Sequence, residues 1–202
     1  MKRVGLFGGS FDPVHNAHVA LATLALAQLQ LDEVRWIPVC KSSQKSRKLA
    51  PAADREAMVR LAIAGEPRFV LDRTELRRGG VSYTLDTVRD LAAAEPDSTW
   101  VLILGQDQYA GLHTWRDWRE LVGLVTLVIA PRAGAPAVDA QVASTPHRTV
   151  ELPMMSESST DIRSLLAAGQ PIDAFVPPAV ARYIESHHLY RPTAGNGTDT
   201  RS

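Results

Sequence analysis

The sequence predicts an α/β protein: one Rossmann-like, doubly wound domain with a mostly parallel sheet of five to six strands and a small helical part near its C-terminal end. Three observations carry this. Short apolar runs alternate with longer segments of helical spacing, the pattern of parallel strands joined by right-handed crossovers. One run, "TWVLILG" at 99–105, is almost wholly apolar, as a strand covered on both faces must be. The first strand also runs straight into "GGSFDPVHNAH". A glycine turn there feeds a helix, whose free N–H groups face the carboxyl rim of the sheet, where such folds bind ligands.

The elements follow in order. "KRVGLF" (2–7) reads as the first strand, and the Ala, Leu and Val of 16–29 as a helix. "EVRWIPV" (33–39) is a second strand with Pro38 near its end. "CKSSQKSRKLAP" (40–51) is polar, basic and aperiodic, hence a loop. Pro51 opens a helix with Met58, Leu61 and Ala62 on one face and Gly65 as its stop. "RFVLD" (68–72) is a third strand, and "RRGG" (77–80) a turn. Helical spacing of Leu85, Val88, Leu91 and Ala92 marks a helix over 82–96. After the fourth strand at 99–105, "TWRDWREL" (114–121) is a short helix and "LVTLVIA" (124–130) the fifth strand. Residues 132–147, rich in Ala, Gly and Pro, read as a loop, and "TVELP" (149–153) as a short sixth strand. "SSTDIRSLLAAG" (158–169) begins with helix-capping hydroxyls and ends on glycine, and a last helix lies in 177–190. The domain is expected over 1–190, its helical part from about 156, with 191–202 a polar, disordered tail. The sequence contains no internal repeat.

Composition narrows the function. Hydrophobic residues are 45% of the 202 and charged residues 22%, enough for a core without metal or disulfide staples. Basic and acidic residues balance at 22 each, so no global field favours nucleic acid or a membrane, and any anion site must be local. A single cysteine, Cys40, excludes an intrachain disulfide and suits a reducing compartment. "MKRVGLFGGSFDP" lacks the apolar run of a signal peptide, and no window approaches a membrane span. A cytoplasmic location is expected.

His15 and His18 stand three residues apart, at the start of the first helix and on one face of it. Gly8 and Gly9 clear side chains from the strand end before them. The pair adds donors to a helix N-terminus already suited to an anion. Metal ligation fits less well, because the spacing is not the i, i+4 pair of a zinc-protease helix. Chance placement on a solvated helix start is the plainer alternative, and it suits a lone histidine better than this pair. The stretch lacks the G-K-[ST] of a phosphate-binding Walker loop and the G-x-G-x-x-G of a hydride-transfer dinucleotide site.

"GGSFDPVHNAH" resembles the G-G-x-F-D-P-x-H-x-G-H signature of the nucleotidylyltransferase superfamily. "SYTLDT", "GQD" followed by "TWRDW", and "SSTDIR" extend the resemblance to bacterial nicotinate-nucleotide adenylyltransferases over nearly the whole chain to Tyr190. The resemblance implies transfer of the adenylyl group of ATP to nicotinate mononucleotide, giving deamido-NAD and pyrophosphate. It assigns His15, His18, Lys45 and Arg163 to catalysis. It assigns Gly8, Gly9, Ser10, Phe11, Gly105, Asp107, Ser159 and Thr160 to ATP. Asp107 would accept from the ribose hydroxyls. In "SSTDIR" a hydroxyl, a backbone N–H and the Arg163 guanidinium would converge on one phosphate. Tyr83 and Thr84 would offer backbone N–H groups to the nicotinate carboxylate, and Trp115 would stack on the pyridine ring. Trp118, three residues on, is read as core. Mg²⁺ is implied with ATP, with no protein ligand named. The expected partners are the two small-molecule substrates, not nucleic acid or membrane; a homo-oligomer is compatible with the sequence, which does not set the oligomeric state.

Three positions depart from the pattern. Ala17 replaces the signature glycine between the histidines, Gln44 a histidine of the loop after the second strand, and Glu157 an apolar residue before "SST". They bear on rate and affinity more than on reaction type. Two other functions fit the residues: the same chemistry on another acceptor (nicotinamide mononucleotide, phosphopantetheine, or an alcohol phosphate with CTP), and nucleotide binding without catalysis.

Overall fold

The computed structural model describes residues 1–42, 47–132, 134–151 and 158–191. Six parallel strands form its main sheet: β1 (Lys2–Gly9), β2 (Glu33–Pro38), β4 (Phe69–Leu71), β6 (Ser98–Gly105), β7 (Thr126–Ala130) and β8 (His147–Thr149). Their order is β4-β2-β1-β6-β7-β8. The chain winds outward from β1 in one direction, then returns to its other side at β6. The switch point therefore lies between β1 and β6, at their carboxyl ends.

Alternation along the strands divides the core. Val4, Leu6, Leu102, Leu104 and Leu127 face one layer with Leu85, Val88, Leu91 of α4 (Thr84–Ala94) and Trp118, Leu121 of α6 (Trp118–Leu124). Phe7, Val34, Trp36, Val101 and Ile103 face the other. Leu21 to Leu26 of α1 (Asn16–Gln28), Met58 and Val59 of α2 (Ala52–Ile63), Ile162 of α8 (Ser159–Ala167) and Ile184 of α9 (Pro178–Ser186) complete that layer. The C-terminal helices thus share the main core with α1 and α2.

Several sequence expectations differ in detail. On α2 the inward face is Met58, Val59 and Ile63, and Leu61 is 36% exposed, because the helix is rotated from the predicted stripe. The sixth strand is His147–Thr149 rather than 149–153; all three residues are exposed at the sheet edge, so no apolar pattern marks them. The expected loop at 132–147 holds a one-turn helix, α7 (Ala140–Ala143), capped by the Asp139 carboxylate. Ahead of the predicted "RRGG" turn lies another short helix, α3 (Thr74–Arg78); Gly79 and Gly80 then turn with φ of +70° each. A two-residue pairing of β3 (Lys41–Ser42) with β5 (Val81–Ser82) was not predicted, and it ties the loop after β2 to the start of α4. Residues of the expected 191–202 tail beyond Arg191, and Lys45, Gln44 and Glu157, lie outside the described residues.

Candidate active site

The turn after β1 is built around Phe11. Its φ is +46° and its ring is 1% exposed, packed on Phe7, Trp36 and His18 with centroids at 5.6, 5.4 and 5.2 Å. A Cβ on Gly9 would lie 3.0 Å from that ring. A side chain at position 9 would therefore press on the Phe11 ring, and only the backbone of Phe11 is left to meet a ligand. Gly8 is less confined, with one contact at 4.0 Å for an added Cβ.

His15 caps α1. Its N–H donates to His18 Nδ1 at 3.2 Å, and the two rings lie 3.7 Å apart. His15 is buried, and its Nδ1 has no hydrogen-bond partner among the described residues. Burial, with the nearby Arg132 guanidinium, lowers its pKa to about 4. His15 therefore meets a ligand at neutral pH as a neutral imidazole, a hydrogen-bonding group and not a charge.

The positive charge comes from arginines gathered around Asp12. This carboxylate is fully buried. Its Oδ1 accepts from the Tyr190 hydroxyl at 2.7 Å and the Ala50 N–H at 3.1 Å; Oδ2 takes the Arg47 guanidinium. The Asp12 carbonyl accepts from Arg163 Nη1 at 2.7 Å. Arg55, also buried, donates to the carbonyls of Ser10, Cys40 and Ala50. Three guanidinium groups thus surround one carboxylate, leaving a local surplus of positive charge in a chain of zero net charge. Burial, then the proximity of Arg47, lowers the pKa of Arg163. "SSTDIR" brings Arg163 to the signature turn as expected, but its hydroxyls are engaged by protein. Ser158 caps α8, Ser159 donates to the Pro13 carbonyl at 3.0 Å, and Thr160 accepts from Arg163 at 3.1 Å.

Across the switch point, Gly105 ends β6 and starts α5 (Gln106–Ala110). A Cβ there would meet nothing within 4 Å, so the rim is open. Asp107 is exposed and accepts from Arg132 at 3.2 Å.

A cavity of about 340 Å³ runs from the carboxyl end of β1 to the start of α4; His15, His18, Gly105, Asp107 and Arg163 are not among its lining residues. Gly8, Gly9 and Ser10 line one side, Tyr83, Thr84 and Trp115 the other. Tyr83 caps α4, and the Arg116 guanidinium lies 4.9 Å over its ring. Trp115 Nε1 is buried with no partner among the described residues. Trp118 is 7% exposed in the core, as expected. A larger hollow of about 510 Å³ beside α8 and α9 contains none of the predicted site residues. Sequence reasoning missed Arg47 as an Asp12 partner, and also Arg55, Arg132, Tyr190 and Glu75. Only Arg132 carried a signal, its place just past the carboxyl end of β7.

A parallel sheet with an arginine-lined helix N-terminus at its switch point is suited to holding nucleotide phosphates. The cytidylyltransferase-like family model matches residues 6–165. Proteins named probable nicotinate-nucleotide adenylyltransferase share 49% identity in Methylibium petroleiphilum, over 96% of this chain and 95% of that one, and 48% in Bordetella petrii, over 95% and 100%. This chain belongs to the nicotinate-nucleotide adenylyltransferase family. The fold also matches the solved Plasmodium falciparum nicotinic acid mononucleotide adenylyltransferase in complex with NaAD. There the TM-score is 0.79 at 20% identity, covering 94% of this chain and 98% of that one.

Among the described residues, no three His, Cys, Asp or Glu side chains are grouped to hold a metal ion. Both carboxylate oxygens of Asp12 are already engaged. A divalent ion here fits as a companion of the nucleotide phosphates, the usual condition of Mg²⁺ at ATP sites. No helix among the described residues is long and apolar enough to cross a membrane.

Proposed function

We propose that the protein transfers the adenylyl group of ATP to nicotinate mononucleotide, forming deamido-NAD and pyrophosphate in NAD biosynthesis. The observation that carries this reading is the single cavity joining the Gly8–Ser10 rim, beside the α1 anion site, to the N-terminus of α4 and Trp115. Donor and acceptor nucleotides then meet at one place.

The acceptor phosphate is ionised near neutral pH and needs no general base. One of its oxygens bonds to the α-phosphorus as the bond to pyrophosphate breaks, with no covalent enzyme intermediate. Catalysis is positioning and charge stabilisation. His18 and neutral His15 donate to the ATP phosphates, with the N–H groups of α1. Arg163 faces the same charge, and Lys45 closes on the β- and γ-phosphates. Gly8, Ser10 and the backbone of Gly9 and Phe11 shape the ATP rim. Gly105 admits the nucleoside, and Asp107 releases Arg132 to accept from the ribose hydroxyls. Ser159 and Thr160 act through the turn and Arg163 that they hold. On the acceptor side, the N–H groups at Tyr83 and Thr84 take the carboxylate, and Trp115 stacks on the pyridine ring. Mg²⁺ brought with ATP would neutralise part of the phosphate charge, with no protein ligand assigned to it.

The test is pyrophosphate release with Mg-ATP and, in turn, nicotinate mononucleotide, nicotinamide mononucleotide, phosphopantetheine or no acceptor. Release with nicotinate mononucleotide well above the others, lost in His18→Ala, is expected. Preference for another acceptor contradicts the pocket assignment. ATP binding with no release supports a binding protein.

A further inference from the structure

One buried cation beside the signature turn is unused by this mechanism. Arg55, near the start of α2, is 1% exposed. Its three guanidinium nitrogens donate to three main-chain carbonyls: Nε to Ala50 at 3.0 Å, Nη1 to Ser10 at 3.0 Å and Nη2 to Cys40 at 3.1 Å. The adjacent Asp12 carboxylate is taken instead by Tyr190, Ala50 and Arg47. A buried charge is costly unless its hydrogen bonds are made. Here the bonds to Ala50 and Cys40 fix the guanidinium plane, and the bond to Ser10 reaches the ATP rim.

A trans peptide group carries its C=O and N–H on opposite edges, and the Ser10–Phe11 peptide is trans. With the Ser10 carbonyl turned inward to Arg55, the Phe11 N–H faces away from the buried side. The same bond answers a backbone demand. The φ of +46° at Phe11 lies in a region that residues other than glycine seldom occupy. Turning the Ser10–Phe11 peptide over would return Phe11 to negative φ, so the observed orientation has to be held. We propose that Arg55 is a positioning residue for the transfer, holding the Ser10 carbonyl so that the Phe11 N–H is aimed at the ATP phosphates. The proposal rests on the reading of this rim as the ATP site. Arg55 itself touches no substrate.

The experiment uses the fact that Phe11 alone among the phenylalanines follows a serine. Protein carrying ¹³C at the serine carbonyls and ¹⁵N in phenylalanine therefore gives one carbonyl-filtered amide signal in nuclear magnetic resonance, that of the Ser10–Phe11 peptide. In the wild-type protein, saturating Mg-ATP without acceptor moves that signal and slows exchange of its N–H with solvent. Arg55→Met keeps most of the side-chain volume and removes every donor. Its signal is unmoved by Mg-ATP, and its affinity for ATP is lower by about tenfold or more, the loss of one hydrogen bond to a charged group. A wild-type protein that binds Mg-ATP with the signal unmoved overturns the proposal, whether or not the variant folds. So does an Arg55→Met protein of lowered stability whose signal answers Mg-ATP as the wild type's does, the result for an arginine that is merely structural. No binding of Mg-ATP by the wild type overturns instead the reading of the rim as the ATP site.

Discussion

Asp12 links four parts of the chain that are far apart in sequence. Its side chain joins the signature turn to Arg47, Ala50 and Tyr190, and its carbonyl holds Arg163. Tyr190→Phe removes one donor and leaves a buried carboxylate oxygen short of a partner. The expected cost is about 1–3 kcal/mol of stability, read as a lower denaturation midpoint, with a raised KM for ATP as the turn loosens. His15 gives a second prediction. An unfolded chain takes up this proton below about 6.5, whereas the folded protein holds it off until about 4. Between those values the unfolded state carries more protons, so stability rises with pH there. The contribution is full above 6.5 and is lost as pH falls through about 4, a span of roughly 3 kcal/mol. His15→Asn flattens that part of the stability curve in urea titrations; an unchanged slope means the imidazole is not held neutral. At this scale the sequence was half legible. The motifs placed His15, His18 and Arg163 together. They gave no hint that Phe11 turns inward over Gly9, or that Tyr190 returns to Asp12. Those are packing facts, and the second joins residues 178 positions apart.

Elements were legible in proportion to their burial. β6 is apolar from Trp100 to Leu104 because both faces are covered there, and α4 shows its stripe because one face is. β8 lies at an edge with every residue exposed, so nothing in its composition marks it. α3, β3 and β5 are too short to show a repeating pattern, yet Glu75, Ser42 and Ser82 from them line the cavity proposed for the acceptor. Arg78 joins two of these elements, donating to Thr87 and pairing with Asp90 of α4. Because Asp90 is exposed, Arg78→Ala costs about 1 kcal/mol or less in stability. Its effect is expected in function: a several-fold rise in KM for the acceptor with little change in KM for ATP. Equal changes in both would place the α3–α4 link outside the acceptor wall.

Over the whole molecule, strand order creates the site. The reversal between β1 and β6 leaves a crevice at their carboxyl ends, lined by the turn after β1 and by Gln108 of α5, and α4 closes it from the second layer. The C-terminal helices bring Arg163 and Tyr190 back to the first turn, so the two ends of the described chain meet at the phosphates' place. That closure was foreseen only through the "SSTDIR" motif, since periodicity says nothing of where a helix docks. In the proposed reaction such a site brings two nucleotides into line, and no residue assigned to it acts as a nucleophile. The stereochemical course at phosphorus tests this most directly, using ATP chirally labelled with sulfur at the α-phosphorus and nicotinate mononucleotide as acceptor. A single in-line displacement inverts the configuration, and inversion is the result predicted. Retention would mean that an adenylylated side chain intervenes, and it would contradict the account.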